Sequence, residues 1–156
     1  MLFRFLAIAL LMGSSLCALN KETTLAIIKP DAVASNHVGD ILSRYEKSGL
    51  KIAGIKMNVL SEVDAKQFYA IHKGKPFYND LVKFMTSGPS VILVLEGDNA
   101  VQRNRDLIGS GDKKGSLRAD FGTSMTKNAI HGSDSIENAQ QEVGFFFSNR
   151  KLQERF

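Results

Sequence analysis

Hydrophobic positions in this chain follow two periods, one typical of strands and one typical of helices. Thr24–Lys29 is a short, nearly continuous apolar run, which indicates a strand buried on both faces, and Pro30 ends it. Ser90–Glu96 repeats that pattern more strongly, with five apolar residues in succession. Leu50–Leu60 alternates from one side to the other, which predicts a strand, and Gly144–Phe147 is the last predicted strand.

Helical spacing separates these strands. Val38–Ser48 has apolar side chains every three or four residues, and Gly49 is a natural stop at its end. Ser61 with Asp64 three residues later is a capping pair that opens a second helix. The other predicted helices are Tyr78–Thr86, Asp98–Ile108, and one opened by a capping box at Asp134–Glu137 that ends near Glu142.

This order of elements predicts an α+β fold with a ferredoxin-like, four-stranded antiparallel sheet and helices packed on it. The chain has 156 residues, of which 44% are apolar and 23% charged, which suits one compact domain with its own core. We expect that domain at residues 22–148, followed by a short polar tail at 149–156. No internal repeat or low-complexity linker divides the sequence.

The charge balance is mildly basic, with a formal net charge of +4. Such a balance suits anionic ligands such as phosphates, although solvated lysines on the surface explain it equally well. A nucleic-acid-binding protein is the alternative, but no long basic run, recognition-helix pattern or zinc-ligand spacing supports it. Cys17 is the single cysteine, so intrachain disulfides and cysteine-based metal sites are excluded.

Residues 1–17 have the architecture of a signal peptide. One positive charge at Arg4 precedes an apolar stretch from Phe5 to Met12, and small residues follow it. The stretch is too short to span a bilayer comfortably. An uncleaved apolar extension and a start codon assigned too early are the alternatives. A signal peptide predicts export, to a periplasm or out of the cell. The two alternatives predict a cytoplasmic protein.

Three histidines are present, and only His131 lies in a setting suited to chemistry. Gly132 leaves its ring uncrowded, and a predicted helix begins a few residues later. A helix N-terminus favours a phosphate nearby, and a neutral imidazole is a competent nucleophile at pH 7. His37 and His72 lack such a setting. Local spacing alone is more typical of a surface-loop histidine at all three positions.

Basic residues able to hold phosphates are scattered along the sequence. Lys29 ends the first strand, Arg105 lies late in a helix, and Arg118 follows a loop rich in Gly, Ser, Asp and Lys at Gly109–Ser116. Each of them is compatible with an ordinary solvated charge. Their spacing shows that they could converge on a polyphosphate, without showing that they do.

Several separated motifs, in a fixed order, resemble those of the nucleoside diphosphate kinases. The resemblance covers residues 23–147. The motifs are Ile28–Asp31, Phe68–Tyr69, Lys75–Phe77, Ser87–Pro89, Asn104–Arg105, Leu117–Asp120 and the active-site signature Asn128–Ser135.

The resemblance implies an enzyme that transfers the γ-phosphate of a nucleoside triphosphate, typically ATP, to nucleoside diphosphates by a ping-pong mechanism. His131 would form a phosphohistidine at its pros nitrogen. Further catalytic roles fall on Lys29, Tyr69, Glu142 and Ser133, with Glu142 orienting the imidazole. Nucleotide contacts fall on Lys29, Phe77, Arg105, Arg118 and Asn128. Mg²⁺ would arrive with the nucleotide, and a homo-oligomer, a tetramer or hexamer, is implied.

The loop Ser110–Ser116 departs from the family pattern. It is about four residues shorter than usual and lacks a Thr-Asn-Pro sequence whose threonine contacts a phosphate. Ser110 is the candidate replacement as a hydroxyl donor. Losing one neutral hydrogen bond costs about 0.5–1.5 kcal/mol, a modest rate loss that leaves the mechanism intact. The same loop often supports family oligomers, so its shortening bears on the assembly.

A nucleotide-binding pseudoenzyme, or a regulatory module with weak phosphotransfer, is the second hypothesis for the same motifs. Such a protein would keep the pocket without the chemistry. The presence of a complete set of candidate residues around His131 favours the active enzyme.

Overall fold

The computed structural model describes residues 21–147. The predictions for residues 1–17 and 149–156 lie outside this range. The strands are β1 (Lys21–Ile28), β2 (Lys51–Asn58), β3 (Ser90–Asp98) and β4 (Ile130–Gly132). The helices are α1 (Pro30–Ala34), α2 (Val38–Lys47), α3 (Glu62–Phe68), α4 (Tyr78–Met85), α5 (Ala100–Ile108), α6 (Leu117–Phe121) and α7 (Ile136–Phe147), with a 3-10 turn at Ala70–His72. No helix in the described range is long and apolar enough to cross a membrane.

The four strands form one sheet in the order β2-β3-β1-β4, and every neighbouring pair is antiparallel. The predicted α+β, ferredoxin-like class is therefore confirmed. β1 and β3 lie in the middle and bury side chains on both faces, as their continuous apolar runs predict. β4 is an edge strand beside β1, which brings residues near the end of the domain against its first strand.

Helices cover the sheet on both faces and create two cores. On one face, α2, α5 and α6 pack on alternate residues of β1 and β3. On the other face, α3, α4 and α7 pack on the intervening residues. Because successive residues of a strand point to opposite faces, each apolar residue in β1 belongs to one core or the other.

The prediction of a fourth strand at Gly144–Phe147 is wrong, because those residues are the last turn of α7. A short apolar run has no periodicity that separates a strand from a buried helix. In the helix, Phe146 enters the core and Phe145 and Phe147 pack beside it. The fourth strand is instead β4, whose three residues are too few to show a pattern.

The start of α7 differs from the predicted capping box at Asp134. Ser135 Oγ accepts the N–H of Asn138 at 3.1 Å, so the cap is one residue later. The Asp134 carboxylate accepts the side-chain amide of Asn138 at 2.6 Å. Two five-residue helices, α1 and α6, were also missed, since neither is long enough for a periodic pattern.

Candidate active site

β4 carries His131 and is fastened to β1 at both ends. His131 lies opposite Ile27 in the ladder. Beyond the strand, Ser133 donates its backbone N–H to the Leu25 carbonyl at 3.1 Å and accepts the Leu25 N–H on its hydroxyl at 3.3 Å. Before it, the Lys29 N–H donates to the Ala129 carbonyl at 2.8 Å. The backbone that presents the imidazole is therefore fixed to a central strand.

Glu142 on α7 orients the imidazole. Its Oε2 lies 3.1 Å from Nε2 of His131 and accepts the hydroxyl of Ser133 at 2.6 Å. A carboxylate oxygen only accepts, so Nε2 carries the proton and Nδ1 keeps its lone pair. This is the geometry that attack through the pros nitrogen requires. The orienting role of Glu142 stays a prediction, for which this contact supplies the geometry, and Ser133 links Glu142 to β1.

Aromatic side chains form one wall beside His131. The ring of Phe68 lies edge-on at 5.3 Å between centroids, and that of Tyr69 at 6.2 Å. Phe68 is the last residue of α3 and Tyr69 lies between α3 and the 3-10 turn, and both pack on the face of the sheet opposite to α5 and α6. This wall shields the imidazole, of which 21% of the side chain is exposed.

The imidazole faces a cavity of about 220 Å³ that contains both predicted arginines. Arg105 comes from the last turn of α5 and Arg118 from α6. Arg118 is anchored by a hydrogen bond from Nη2 to the Ile130 carbonyl at 3.2 Å. Burial, and then the charge of Arg105, lower the pKa of Arg118, so the two guanidinium groups repel one another. An anion between them relieves that repulsion.

Lys29 and Asn128 lie together behind Arg118. Lys29 is 6% exposed, and its Nζ donates to Asn128 Oδ1 at 2.6 Å. The pKa of Lys29 is lowered to about 8, first by burial and second by the charge of Arg118, while the charge of Asp31 opposes the shift. Lys29 therefore extends the positive region from Arg118 to Asn128, another residue predicted to contact the nucleotide.

Buried polar atoms around the cavity support an oxygen-rich ligand. Within the described residues, Tyr69 Oη, His72 Nδ1 and Arg118 Nε have no hydrogen-bond partner in the protein. Burial and then the charge of Glu142 raise the pKa of Tyr69, so its hydroxyl stays a donor. Unpaired buried donors are costly, and phosphate oxygens would pair with them.

His72 is a site residue that sequence reasoning missed. Its ring stacks on Tyr69 at 6.3 Å and lies 5.5 Å from Phe77, and it lines the cavity with His131. Burial first, and the charge of Lys75 second, lower the pKa of His72. The sequence signal that could have identified it is its spacing of three residues from Tyr69, because residues three apart lie above one another in a 3-10 turn.

The site has two ends that differ in exposure. The inner end consists of His131, Glu142, Arg105 and Arg118. The outer end is formed by His72 with Lys75 and Phe77 beside it, where Lys75 Nζ lies 5.9 Å from the Phe77 ring centroid. Phe77 is 45% exposed and offers a ring face to a flat ligand.

Ser110 is not among the residues that line the cavity. It is exposed, it hydrogen-bonds to the Asp112 side chain, and its carbonyl accepts the hydroxyl of Ser116 at 2.9 Å. The loop therefore closes on itself just before α6. Contact between Ser110 and a phosphate stays a prediction.

Comparison with known proteins agrees with this geometry. The family model described as nucleoside diphosphate kinase matches residues 22–152. Nucleoside diphosphate kinase 1 of Protochlamydia amoebophila is 57% identical over 138 residues, which are 86% of this chain and 98% of that protein. The nucleoside diphosphate kinase of Wolinella succinogenes is 58% identical over 135 residues, which are 84% and 98% of the two chains.

Two solved structures of nucleoside diphosphate kinases are also similar to this chain. The nucleoside diphosphate kinase of Aquifex aeolicus superposes with a TM-score of 0.80 at 44% identity, covering 83% of this chain and 96% of that one. The enzyme from Encephalitozoon cuniculi superposes with a TM-score of 0.82 at 33% identity, covering 86% and 94%. The chain therefore belongs to the nucleoside diphosphate kinase family.

Proposed function

We propose that this protein transfers the γ-phosphate of a nucleoside triphosphate to nucleoside diphosphates through a phosphohistidine on His131. The observation that carries the proposal is the imidazole held at Nε2 by Glu142 while its ring lines a cavity with two arginines. The comparisons support it, since the relatives are nucleoside diphosphate kinases over nearly their whole lengths.

In the first half-reaction, Nδ1 of His131 attacks the γ-phosphorus and the bond from phosphorus to the bridging oxygen breaks. The nucleoside diphosphate leaves with that oxygen and its negative charge. The Nε2 proton stays on the ring, where Glu142 stabilises the cationic imidazole. The second half-reaction reverses these steps with another diphosphate, so one histidine serves both and the kinetics are ping-pong.

Positioned cations and donors supply most of the rate. Negative charge spreads over the phosphoryl oxygens in the transition state, and preorganised positive groups stabilise it without rearrangement. Arg105, Arg118 and the hydroxyl of Tyr69 line the cavity with His131. Lys29 continues the positive region towards Asn128, which would hold the ribose hydroxyls.

The nucleobase would lie at the outer end, against Phe77. Stacking on an aromatic ring is tolerant of base identity because every base has a π face. An exposed aromatic ring that binds by stacking fits an enzyme that accepts many nucleosides.

Mg²⁺ would reach this site with the nucleotide, held mainly by phosphate oxygens. Within residues 21–147, no group of three or more His, Cys, Asp or Glu side chains could hold a metal ion. The cavity has Asp134 and Glu142 as its only acidic linings, and Glu142 is engaged by His131. This donor set suits a metal already ligated by phosphates better than a free ion.

A homo-oligomer, a tetramer or hexamer, is part of the proposal. β2 is an edge strand, and its exposed apolar side chains include Ile55 and Met57, with Val59 just beyond it. Exposed apolar residues on an open sheet edge favour burial against another chain. Sedimentation velocity of the native protein would give the subunit number.

Labelling with γ-³²P ATP tests the reaction. We expect an acid-labile, base-stable label on the native protein that passes to added nucleoside diphosphate and is lost in His131→Gln. The matched control is His37→Gln, because His37 packs against Phe121 and lies outside the cavity. A native protein that takes no label would overturn the proposal and favour a binding protein without chemistry.

A further inference from the structure

The chain adopts a strained turn immediately before the strand that carries His131. Ala129 is fully buried and has a φ of +66°, in the left-handed region that side chains other than glycine rarely adopt. The Ile130 N–H donates to the Asn128 carbonyl at 2.8 Å, which closes a three-residue γ-turn. With a positive φ this turn is the rare and strained form. Such strain persists only where neighbouring groups hold it.

The segment Lys29–Asp31 holds both backbone polar groups of Ala129. The Lys29 N–H donates to its carbonyl at 2.8 Å, and Asp31 Oδ2 accepts its N–H at 3.0 Å. A hydrogen bond to a carboxylate is about twice as strong as a neutral one. Asp31 is placed for this contact by α1, whose first residue is Pro30. The turn is therefore held by one backbone N–H and one side-chain carboxylate.

The turn determines the position of two groups that the proposed reaction uses. On one side, Asn128 Oδ1 accepts from Lys29 Nζ at 2.6 Å. On the other, β4 begins at once and carries His131. Resting on the proposed function, we propose that Asp31 is a positioning residue for phosphoryl transfer, whose carboxylate holds the Ala129 turn and so fixes Asn128 and His131 relative to each other.

The charge of Asp31 also acts on Lys29. The groups that face Lys29 are Arg118, Asp31, the amide of Asn128 and the ring of Phe84, whose centroid is 6.0 Å from Nζ. Burial and Arg118 lower the pKa of Lys29, and Asp31 is the charge that raises it. Oδ1 of Asp31 is buried and has no hydrogen-bond partner within the described residues, whereas Oδ2 accepts the Ala129 N–H.

Substitutions separate the hydrogen bond from the charge. Asp31→Ala removes both, and we expect the rate of His131 phosphorylation at saturating ATP to fall about 10- to 100-fold. Asp31→Asn keeps an acceptor oxygen for the Ala129 N–H, so most of that rate should remain. In Asp31→Ala/Ala129→Gly, glycine adopts the positive φ without strain, and most of the lost rate should return. Asp40→Asn is the control, an exposed aspartate in the first turn of α2.

A pH profile of ADP binding provides the second readout. The charge of Asp31 raises the pKa of Lys29, so removing that charge should lower the pKa. The loss of affinity for ADP at alkaline pH should then begin at a lower pH in Asp31→Asn, and equally in Asp31→Ala/Ala129→Gly. Loss of folding alone would not shift this profile. The proposal is overturned if Asp31→Ala reduces activity only in proportion to the unfolded fraction in urea melts, or if glycine at 129 restores nothing. ADP binding needs no phosphotransfer, so these measurements judge Asp31 even if the native protein takes no label.

Discussion

The inner end of the site, at the cavity, and its outer end, at Phe77 beside the cavity residue His72, are built in opposite ways. At the inner end, His131 lies on a strand fastened to β1 and its imidazole is held by Glu142, which Ser133 also contacts. At the outer end, Phe77 and Lys75 are exposed on the chain between a 3-10 turn and α4. The imidazole is thus fixed by partly buried hydrogen bonds, whereas the surface proposed for the base is an exposed ring on a peripheral segment.

This difference suits the proposed reaction, in which the chemistry at His131 is strict and the contact with the base is tolerant. Positioning errors at the reacting atom cost rate steeply, so the inner end needs rigid support. A stacking surface works without directional bonds, so the outer end does not. Changes at the inner end should therefore reduce the rate of phosphorylation, and changes at the outer end should alter affinity.

The largest effect is expected for Glu142→Ala. Without the carboxylate, the proton is no longer fixed on Nε2 and the imidazolium loses its counter-charge. We expect the single-turnover rate of phosphorylation by ATP to fall roughly 10²–10⁴-fold. Glu137→Gln, on the exposed face of the same helix, should leave the rate within twofold. Equal rates in the two variants would show that Glu142 does not orient the ring.

Gly132→Ala should damage the packing under the inner end. An added Cβ would lie 2.4 Å from Ile108 Cδ1 and 2.7 Å from Asn104 Nδ2. Asn104 is fully buried and bonded to the Tyr45 hydroxyl at 3.0 Å, so it has little room to shift. The free energy of unfolding in urea should fall by about 1–3 kcal/mol.

Gly144→Ala is the matched control for that substitution. Gly144 lies inside α7 and an added Cβ would meet nothing within 4 Å. Alanine there should raise the free energy of unfolding by about 0.5–1 kcal/mol. If both substitutions stabilise the protein, the close packing around Gly132 is not as described.

Alkaline pH should weaken nucleotide binding through Lys29. Its pKa is about 8 in the folded protein, so it loses its proton above that pH. If only the charged form binds phosphate, the Kd for ADP should rise about tenfold between pH 7 and 9 at fixed ionic strength. Lys29→Arg does not titrate in this range, and its Kd should stay flat. A native profile as flat as that of the arginine variant would contradict the assignment.

The lowered pKa of Lys29 also makes the free energy of unfolding depend on pH. An unfolded chain has Lys29 near its ordinary pKa of 10.5 and the folded protein near 8, so between these values the unfolded state binds more protons. The contribution of Lys29 to the free energy of unfolding therefore increases as pH rises from about 8 to 10.5. Comparing native and Lys29→Met proteins in urea at pH 7 and 10 would isolate it.

The smallest effect is expected for Phe77→Leu at the outer end. Leucine keeps an apolar contact but loses the ring, so KM for nucleoside diphosphates should rise about threefold to tenfold with kcat nearly unchanged. Purines, which stack over a larger area, should lose more than pyrimidines. A fall in kcat equal to that from Glu142→Ala would mean that the two ends are not separable.

The sequence predicted the secondary structure correctly where a segment was long enough to show a clear pattern of apolar residues. β1, β3 and α2 follow directly from their patterns of apolar residues. The run at Gly144–Phe147 is too short to show whether it is helical, and β4 exists only because β1 offers it an edge. Both errors came from tertiary contacts that no local window contains.

The site was predictable in a different way. Chemistry and local spacing identified His131 and scattered cations, and the resemblance then supplied Glu142, eleven residues further along the chain. Neither indicated His72, whose position depends on a 3-10 turn. Neither indicated the hydrogen bond from the Ala129 N–H to Asp31, which depends on a γ-turn. The identities of the residues in such short turns give little indication of the turn's conformation.

The fastening of β4 at both ends sets a limit on which length changes this protein tolerates. A one-residue slip between β4 and β1 would turn His131 to the opposite face of the sheet. The bonds from Lys29 to Ala129 and from Ser133 to Leu25 bracket the strand, so slippage would have to break both. The loop Ser110–Ser116 lies upstream of this bracket, so we expect a change in its length to leave the register of His131 opposite Ile27 in place.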